Sequence, residues 1–119
     1  MAYCHCTDCR RWTGAPVGAF AAFASKDLSV TPELGRGFSR HPGVMRWNCP
    51  DCGSPLAASF DYLPGQIYVP IGLLDQAAAL PPQLHSHAAS RLPWLHIEDD
   101  LQRSASSARN TLNVPNNKI

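Results

Sequence analysis

Five cysteines carry the reactive chemistry of this chain, and three of them, Cys4, Cys6 and Cys9, fall within six residues. The other two, Cys49 and Cys52, share a Cys-x-x-Cys turn, Cys49-Pro50-Asp51-Cys52-Gly53, in which Pro50 and Gly53 suit a tight knuckle with amides pointing at the sulfurs. Disulfide geometry cannot use three crowded cysteines and an odd total, so thiolate ligation of a metal explains them better. Zinc, which favours tetrahedral sulfur ligation, is the expected cofactor.

Two arrangements follow from the spacing. Cys6-x-x-Cys9 and Cys49-x-x-Cys52, separated by 39 residues, could close on one ion as a zinc-ribbon-like clip, a non-catalytic binding module with a structural metal. Alternatively, Cys4-x-Cys6-x-x-Cys9 supplies three sulfurs from one short loop and leaves a fourth position open for water or an incoming thiol, as catalytic zinc requires. Three thiolates weaken the ion as a Lewis acid, so holding a thiol as thiolate is easier for such a site than activating water.

The elements that must position these cysteines are short. Arg10 to Thr13 is expected to form one helical turn, opened by Thr7 or Asp8 and stopped by Gly14. Strands are expected over Val17 to Phe23, Leu28 to Val30, Gly37 to Ser39, Val44 to Trp47, Leu56 to Phe60 and Ile67 to Leu73. A brief helix over Asp75 to Leu80 should end at Pro81-Pro82. With 11 Pro and 8 Gly punctuating these runs, the class is mainly β. The 119 residues suit one domain over residues 1–103, followed by a polar tail over 104–119.

Composition narrows the function classes. A formal net charge of +1 without a Lys or Arg run argues against nucleic acid as a partner. No apolar stretch nears the roughly 20 residues that span a bilayer, and Met1 to Cys6 lacks a signal-peptide pattern, so a cytoplasmic protein without membrane attachment is expected.

Cys4-His5-Cys6-Thr7-Asp8-Cys9-Arg10-Arg11-Trp12-Thr13-Gly14-Ala15-Pro16 resembles the signature of the glutathione-dependent formaldehyde-activating enzymes, a family that includes centromere protein V. Cys49-Pro50-Asp51-Cys52-Gly53-Ser54-Pro55-Leu56, Ile71-Gly72-Leu73-Leu74-Asp75 and Ser90-Arg91-Leu92-Pro93-Trp94 resemble later motifs of the family, in order. The resemblance implies a β-tent fold of short antiparallel strands built around zinc-binding cysteine turns. It implies a catalytic zinc on Cys4, Cys6 and Cys9 and a structural zinc half-held by Cys49 and Cys52. The structural site's other two ligands come, in the family, from an earlier Cys-x-Cys-Gly strand that this sequence does not show. A lost N-terminal strand, or a rearrangement into the single ribbon-like site, is the corresponding expectation, and a homodimer would protect a sheet edge so exposed. The implied activity is that of a carbon–sulfur lyase joining glutathione to an aldehyde, as S-hydroxymethylglutathione synthase, with glutathione and formaldehyde as partners. An inactive, degenerate relative is the remaining alternative.

The other candidate residues divide between function and structure. Arg10 and Arg11 could grip a glutathione carboxylate or simply be solvated, and Thr13 and Gly14 could admit a ligand close to the backbone or serve turn chemistry. Arg91 is the better candidate for an anion contact, with Trp94 as a core or pocket-wall aromatic. His85 and His87, alternating along a strand, are expected to face one side, while His5 is expected to point away from the metal.

Overall fold

A strand that ends on a cysteine comes first: β1, Ala2–Cys4, delivers Cys4, and three residues later the backbone is already helical. The computed structural model describes residues 1–31 and 33–107. After helix α1, Thr7–Thr13, come β2 Gly18–Ala24, β3 Val44–Asn48, β4 Pro55–Phe60, β5 Gln66–Pro70, β6 Leu84–Ser86 and β7 Gln102–Arg103. They form one seven-stranded sheet in the order β3-β4-β5-β2-β1-β6-β7. The chain is mainly β, with α1 its one α-helix among the described residues.

The pairings from β3 through β1 are antiparallel, and those of β1 with β6 and of β6 with β7 are parallel. The sheet is thus mixed where short antiparallel strands alone were expected. β1 lies between β2 and β6, with Cys4 opposite Gly18 on one side and Ser86 on the other. Being flanked on both edges holds this three-residue strand in place, since so short a segment has little stability of its own.

Four expected runs settle differently. Leu28 to Val30 forms no strand, and Gly37 to Ser39 contributes only an isolated bridge between Phe38 and Arg46. The run Ile67 to Leu73 splits at Pro70, which has no N–H to continue the ladder, and Ile71–Leu73 turns into a 3-10 helix. The helix expected over Asp75 to Leu80 shrinks to a 3-10 turn, Ala77–Ala79. The expected domain end at residue 103 coincides with the end of β7. Even so, the carbonyls of Ser104, Ala105 and Ser106 accept hydrogen bonds from the backbones of Ala88, Ala89 and His87. The rest of the expected tail, from residue 108, lies outside the described residues.

The core sits beneath the cysteine loop. Ala2, Cys9, Phe20, Leu63, Tyr68 and Leu84 are buried together, and Cys4, Cys6, Trp12, Phe60 and Tyr62 pack against them. Packing centre and reactive sulfurs therefore occupy the same place. No helix among the described residues is long and apolar enough to cross a membrane.

Candidate metal centre

Each of the three clustered cysteines owes its place to a different local device. Cys4 is the last residue of β1, and the next backbone N–H, that of His5, donates to Ser86 O at 3.1 Å and keeps the chain against β6. Cys6 is the N-cap of α1, with φ −65° and ψ 150°, and its Sγ accepts the Cys9 N–H at 3.2 Å. A cysteine thus fills the role a serine or aspartate usually takes, and the helix starts at Thr7, earlier than expected. The first turn brings Cys9 back over Cys6 and into the core, where it is 3 % exposed. Gly14 closes the helix at φ 73°, its N–H donating to Arg10 O at 2.7 Å, as a left-handed terminator should.

The three sulfurs lie within 4.8 Å of one another. A tetrahedral zinc with bonds of about 2.3 Å spaces its sulfurs about 3.8 Å apart, so a small contraction would complete a three-sulfur face. Hydrogen bonds from the Cys4 and Cys9 thiols hold Cys6 far down, at about 2, whereas its bond to Cys6 pushes Cys4 up to about 11. Cys9 is pushed up further by its bonds to Cys4 and Cys6 and by burial. Three thiols this close support one thiolate among themselves, and ionising the other two calls for a positive charge in their midst.

One positive charge is already nearby, on a residue the sequence did not single out. Arg46, from the middle of β3, is 8 % exposed. Its Nη2 donates to Asp8 Oδ2 at 2.6 Å and lies 3.8 Å from Cys9 Sγ. The guanidinium carbon stands 4.7 Å from the Trp12 ring centre and 5.5 Å from that of Phe60. Burial alone would lower its pKa, but the hydrogen bond and the charge of Asp8 offset this and the net shift is upward. Arg46 Nη1 is buried with no hydrogen-bond partner among the described residues. An arginine inside an apolar strand run was the available signal; that it faces Asp8 and Cys9 follows only from the pairing of distant segments.

On its open side the sulfur cluster borders a cavity of about 50 Å³, walled by Phe20, Phe60, Tyr62, Leu63 and Tyr68, with His87 at one edge. Phe60 meets Tyr68 edge-on at 5.5 Å. Burial pushes the Tyr62 hydroxyl up to about 12, and Tyr68 donates to Gln66 Oε1 at 2.6 Å, so both phenols stay protonated. The cluster thus faces a small, mostly apolar space.

His85 and His87 do not share a face. β6 ends at Ser86, and His87 takes a left-handed conformation, φ 52°, which breaks the two-residue alternation. His87 borders the sulfur cavity; His85 is buried against His5, which turns away from the sulfurs as expected.

The expected substrate-binding residues lie elsewhere, and none of them lines that cavity. Arg10 donates to Thr7 Oγ1 within α1, and Arg11 is exposed along a surface groove beside Asp8 and Phe38. Thr13 Oγ1 donates to Cys9 O at 2.8 Å and accepts from the Ala15 N–H, a helix-terminating role shared with Gly14. Arg91 binds the carbonyls of Leu92 and Leu95. Trp94 is 64 % exposed and so forms no part of the core.

Cys49 and Cys52 occupy the turn joining β3 to β4. It is closed by Cys49 N–H to Ser54 O and Gly53 N–H to Cys49 O, both at 2.8 Å. Cys52 is exposed, with its Sγ 3.2 Å from Ser54 Oγ. Among the described residues no third donor joins this pair, and it does not meet the Cys6–Cys9 pair, so the four-cysteine ribbon clip is not assembled. The two turns are tied indirectly: Trp12 Nε1 donates to Asn48 Oδ1 at 2.8 Å, and Asn48 Nδ2 donates to Gly53 O at 3.0 Å.

A strand-delivered Cys4, a capping Cys6 and a buried Cys9 within a mainly β fold form a cluster that could hold a metal ion, and comparison with known families places the chain. The family model of the glutathione-dependent formaldehyde-activating enzymes matches residues 1–90, and the chain belongs to that family. No curated protein gives a match to the chain.

Proposed function

We propose that Cys4, Cys6 and Cys9 hold a zinc ion and that the chain joins a thiol, glutathione first, to an aldehyde such as formaldehyde, and reverses that step as a carbon–sulfur lyase. One observation carries this reading: three sulfurs within 4.8 Å of one another, with a cavity beside them where a fourth donor fits. Bound there, zinc supplies the charge that keeps a fourth, incoming thiol ionised near neutral pH.

The residues of the chain do the rest. The thiol sulfur bonds to the aldehyde carbon, the C=O π pair moves to oxygen, and the thiol's proton ends on that oxygen, giving a hydroxymethyl thioether with no other reactant. Arg46 offsets the negative charge that accumulates on the sulfurs, through its 3.8 Å approach to Cys9. The aromatic walls exclude water and so strengthen these charge interactions. We assign Cys49 and Cys52 to a second, structural zinc site, of which their turn would supply two donors. All five cysteines are free thiols, which suits the reducing cytoplasm.

The test is exchange NMR with ¹³C-formaldehyde and glutathione, because the uncatalysed addition reaches equilibrium unaided and only the exchange rate reports catalysis. Zinc-loaded protein should accelerate exchange between free formaldehyde and S-hydroxymethylglutathione, and Cys9→Ser should not. Equal exchange rates with and without the loaded wild type would overturn the proposal.

A further inference from the structure

The residue between Cys4 and Cys6 is more deeply buried than either. His5 is 1 % exposed, and its Nε2 lies 2.8 Å from Nδ1 of His85, which is 2 % exposed. His85 Nε2 in turn lies 2.9 Å from Asp99 Oδ2. Tyr3 stacks on the His85 ring at 4.8 Å and fixes its plane. Asp99 is itself pinned, its Oδ1 accepting from the Leu101 N–H at 3.0 Å and from Arg103 Nη1 at 2.8 Å. Arg103 Nη2 also binds Ile97 O, which shapes the loop around the carboxylate.

Strand alternation puts this chain of groups behind the sulfurs. Ala2, Cys4 and Ser86 line the sulfur cavity, whereas His5 and His85 line a cavity of about 490 Å³ on the opposite side of β1 and β6. The direction of the bond to Asp99 is fixed by chemistry, and that of the bond to His5 by the tautomer of the His85 ring. A carboxylate only accepts, so His85 Nε2 carries a proton; with a neutral ring its Nδ1 then accepts, and His5 Nε2 donates. That leaves His5 Nδ1 as a bare lone pair, buried and with no partner among the described residues. An unpartnered buried nitrogen is costly, so packing alone does not account for a histidine at position 5. The polar chain has another use in its geometry: it holds the one residue whose backbone sets the separation of Cys4 from Cys6.

We propose that Asp99, His85 and His5 form a positioning relay that fixes the Cys4–Cys6 loop in ligating geometry, so that a carboxylate beyond the family-matching residues 1–90 governs how tightly the cluster retains its metal. None of the three touches the sulfurs' open side, and they are positioning residues. The inference rests on the zinc reading above.

Zinc retention by wild type, Asp99→Ala, Asp99→Asn and Arg103→Gln, measured by competition with a chromophoric chelator, tests it. The thiolate-to-cobalt absorption of the cobalt-loaded proteins and urea unfolding of each are recorded alongside. Asp99→Ala should weaken zinc binding about tenfold, at the lower end of what supporting hydrogen bonds contribute to metal sites, and should shift the cobalt bands. Asn Oδ1 can still accept from His85, so Asp99→Asn should come back to within about threefold of wild type. Arg103→Gln removes one of the two contacts that pin Asp99 but keeps the carboxylate on His85, and should retain zinc to within about threefold of wild type. Wild-type retention and spectrum in Asp99→Ala, or equal loss in Arg103→Gln, would refute the relay while leaving the zinc reading intact. If Asp99→Ala does not fold, Asp99→Asn decides, and a tenfold or greater loss there counts against the relay. A wild type that binds no metal brings down both.

Discussion

Replacing Arg46 by Met tests whether a buried cation is part of how this site is built. Removing one member of a buried pair typically costs about 3–5 kcal/mol, because the other charge is stranded. Here Asp8 has a side chain 24 % exposed and a second neighbour in His41 at 3.5 Å, so it can rehydrate in part, and about 2 kcal/mol is the better figure. Loss of the guanidinium from above Trp12 and Phe60 adds about 0.5–1 kcal/mol, much of the apolar contact being kept by Met. The total, about 2.5–3 kcal/mol, should lower Tm by about 10 °C in a domain of this size. Lysine at this position keeps the charge but not the planar fork, and should recover less than half of the loss.

Urea denaturation of the metal-loaded protein gives the free energy, and a double-mutant cycle with Asp8→Asn isolates the pair. The cycle should return a coupling of about 1–2 kcal/mol. A cost for Arg46→Met that is the same in the Asp8→Asn background, or a single mutant within about 0.5 kcal/mol of wild type, would refute the reasoning.

Other outcomes follow from the same geometry. Cys4→Ser, Cys6→Ser and Cys9→Ser should each lower zinc content by one equivalent, while Cys49→Ser and Cys52→Ser should leave the cluster's zinc in place, as read by metal analysis. Because the sulfurs lie at the packing centre, chelation should broaden and lower the thermal transition rather than merely abolish activity, which calorimetry would show. Gly14→Ala meets no atom within 4 Å, so its whole cost, about 1 kcal/mol, should come from φ 73° and be visible as a small fall in urea midpoint. The His85 hydrogen bond, the Leu101 N–H and Arg103 together hold the Asp99 carboxyl down to about 2. A depressed carboxyl stabilises the fold above its unfolded pKa, about 4, so this contribution should fade only as pH falls from 4 toward 2, and an NMR titration of Asp99 should report it.

Much of the candidate metal centre was legible in the chain itself. The Cys4-x-Cys6-x-x-Cys9 spacing lies within one strand end and one helical turn, so local geometry alone brings the sulfurs together. The Gly14 stop and the Cys49–Cys52 knuckle are equally local, fixed by residues two to five positions apart. The strands with clear apolar runs, β2 to β5, were found for the same reason. β1, β6 and β7 carry too few residues for a periodic pattern to show, and they are strands because each has a neighbour, not because of their own preference.

What only the tertiary structure decided lies in contacts across long separations. Arg46 reaches Asp8 and Cys9 because β3 folds back over α1, and His5 meets His85 because β6 returns beside β1. Nothing near Arg46 or His85 in sequence announces such partners. The placement of Arg91 and Trp94 away from the sulfur cavity has the same origin, whereas Arg10 and Arg11 are turned from it by the local geometry of α1. Motif order says which residues travel together along the chain, but which side of a sheet they face depends on where each short strand stops, as the left-handed turn at His87 shows.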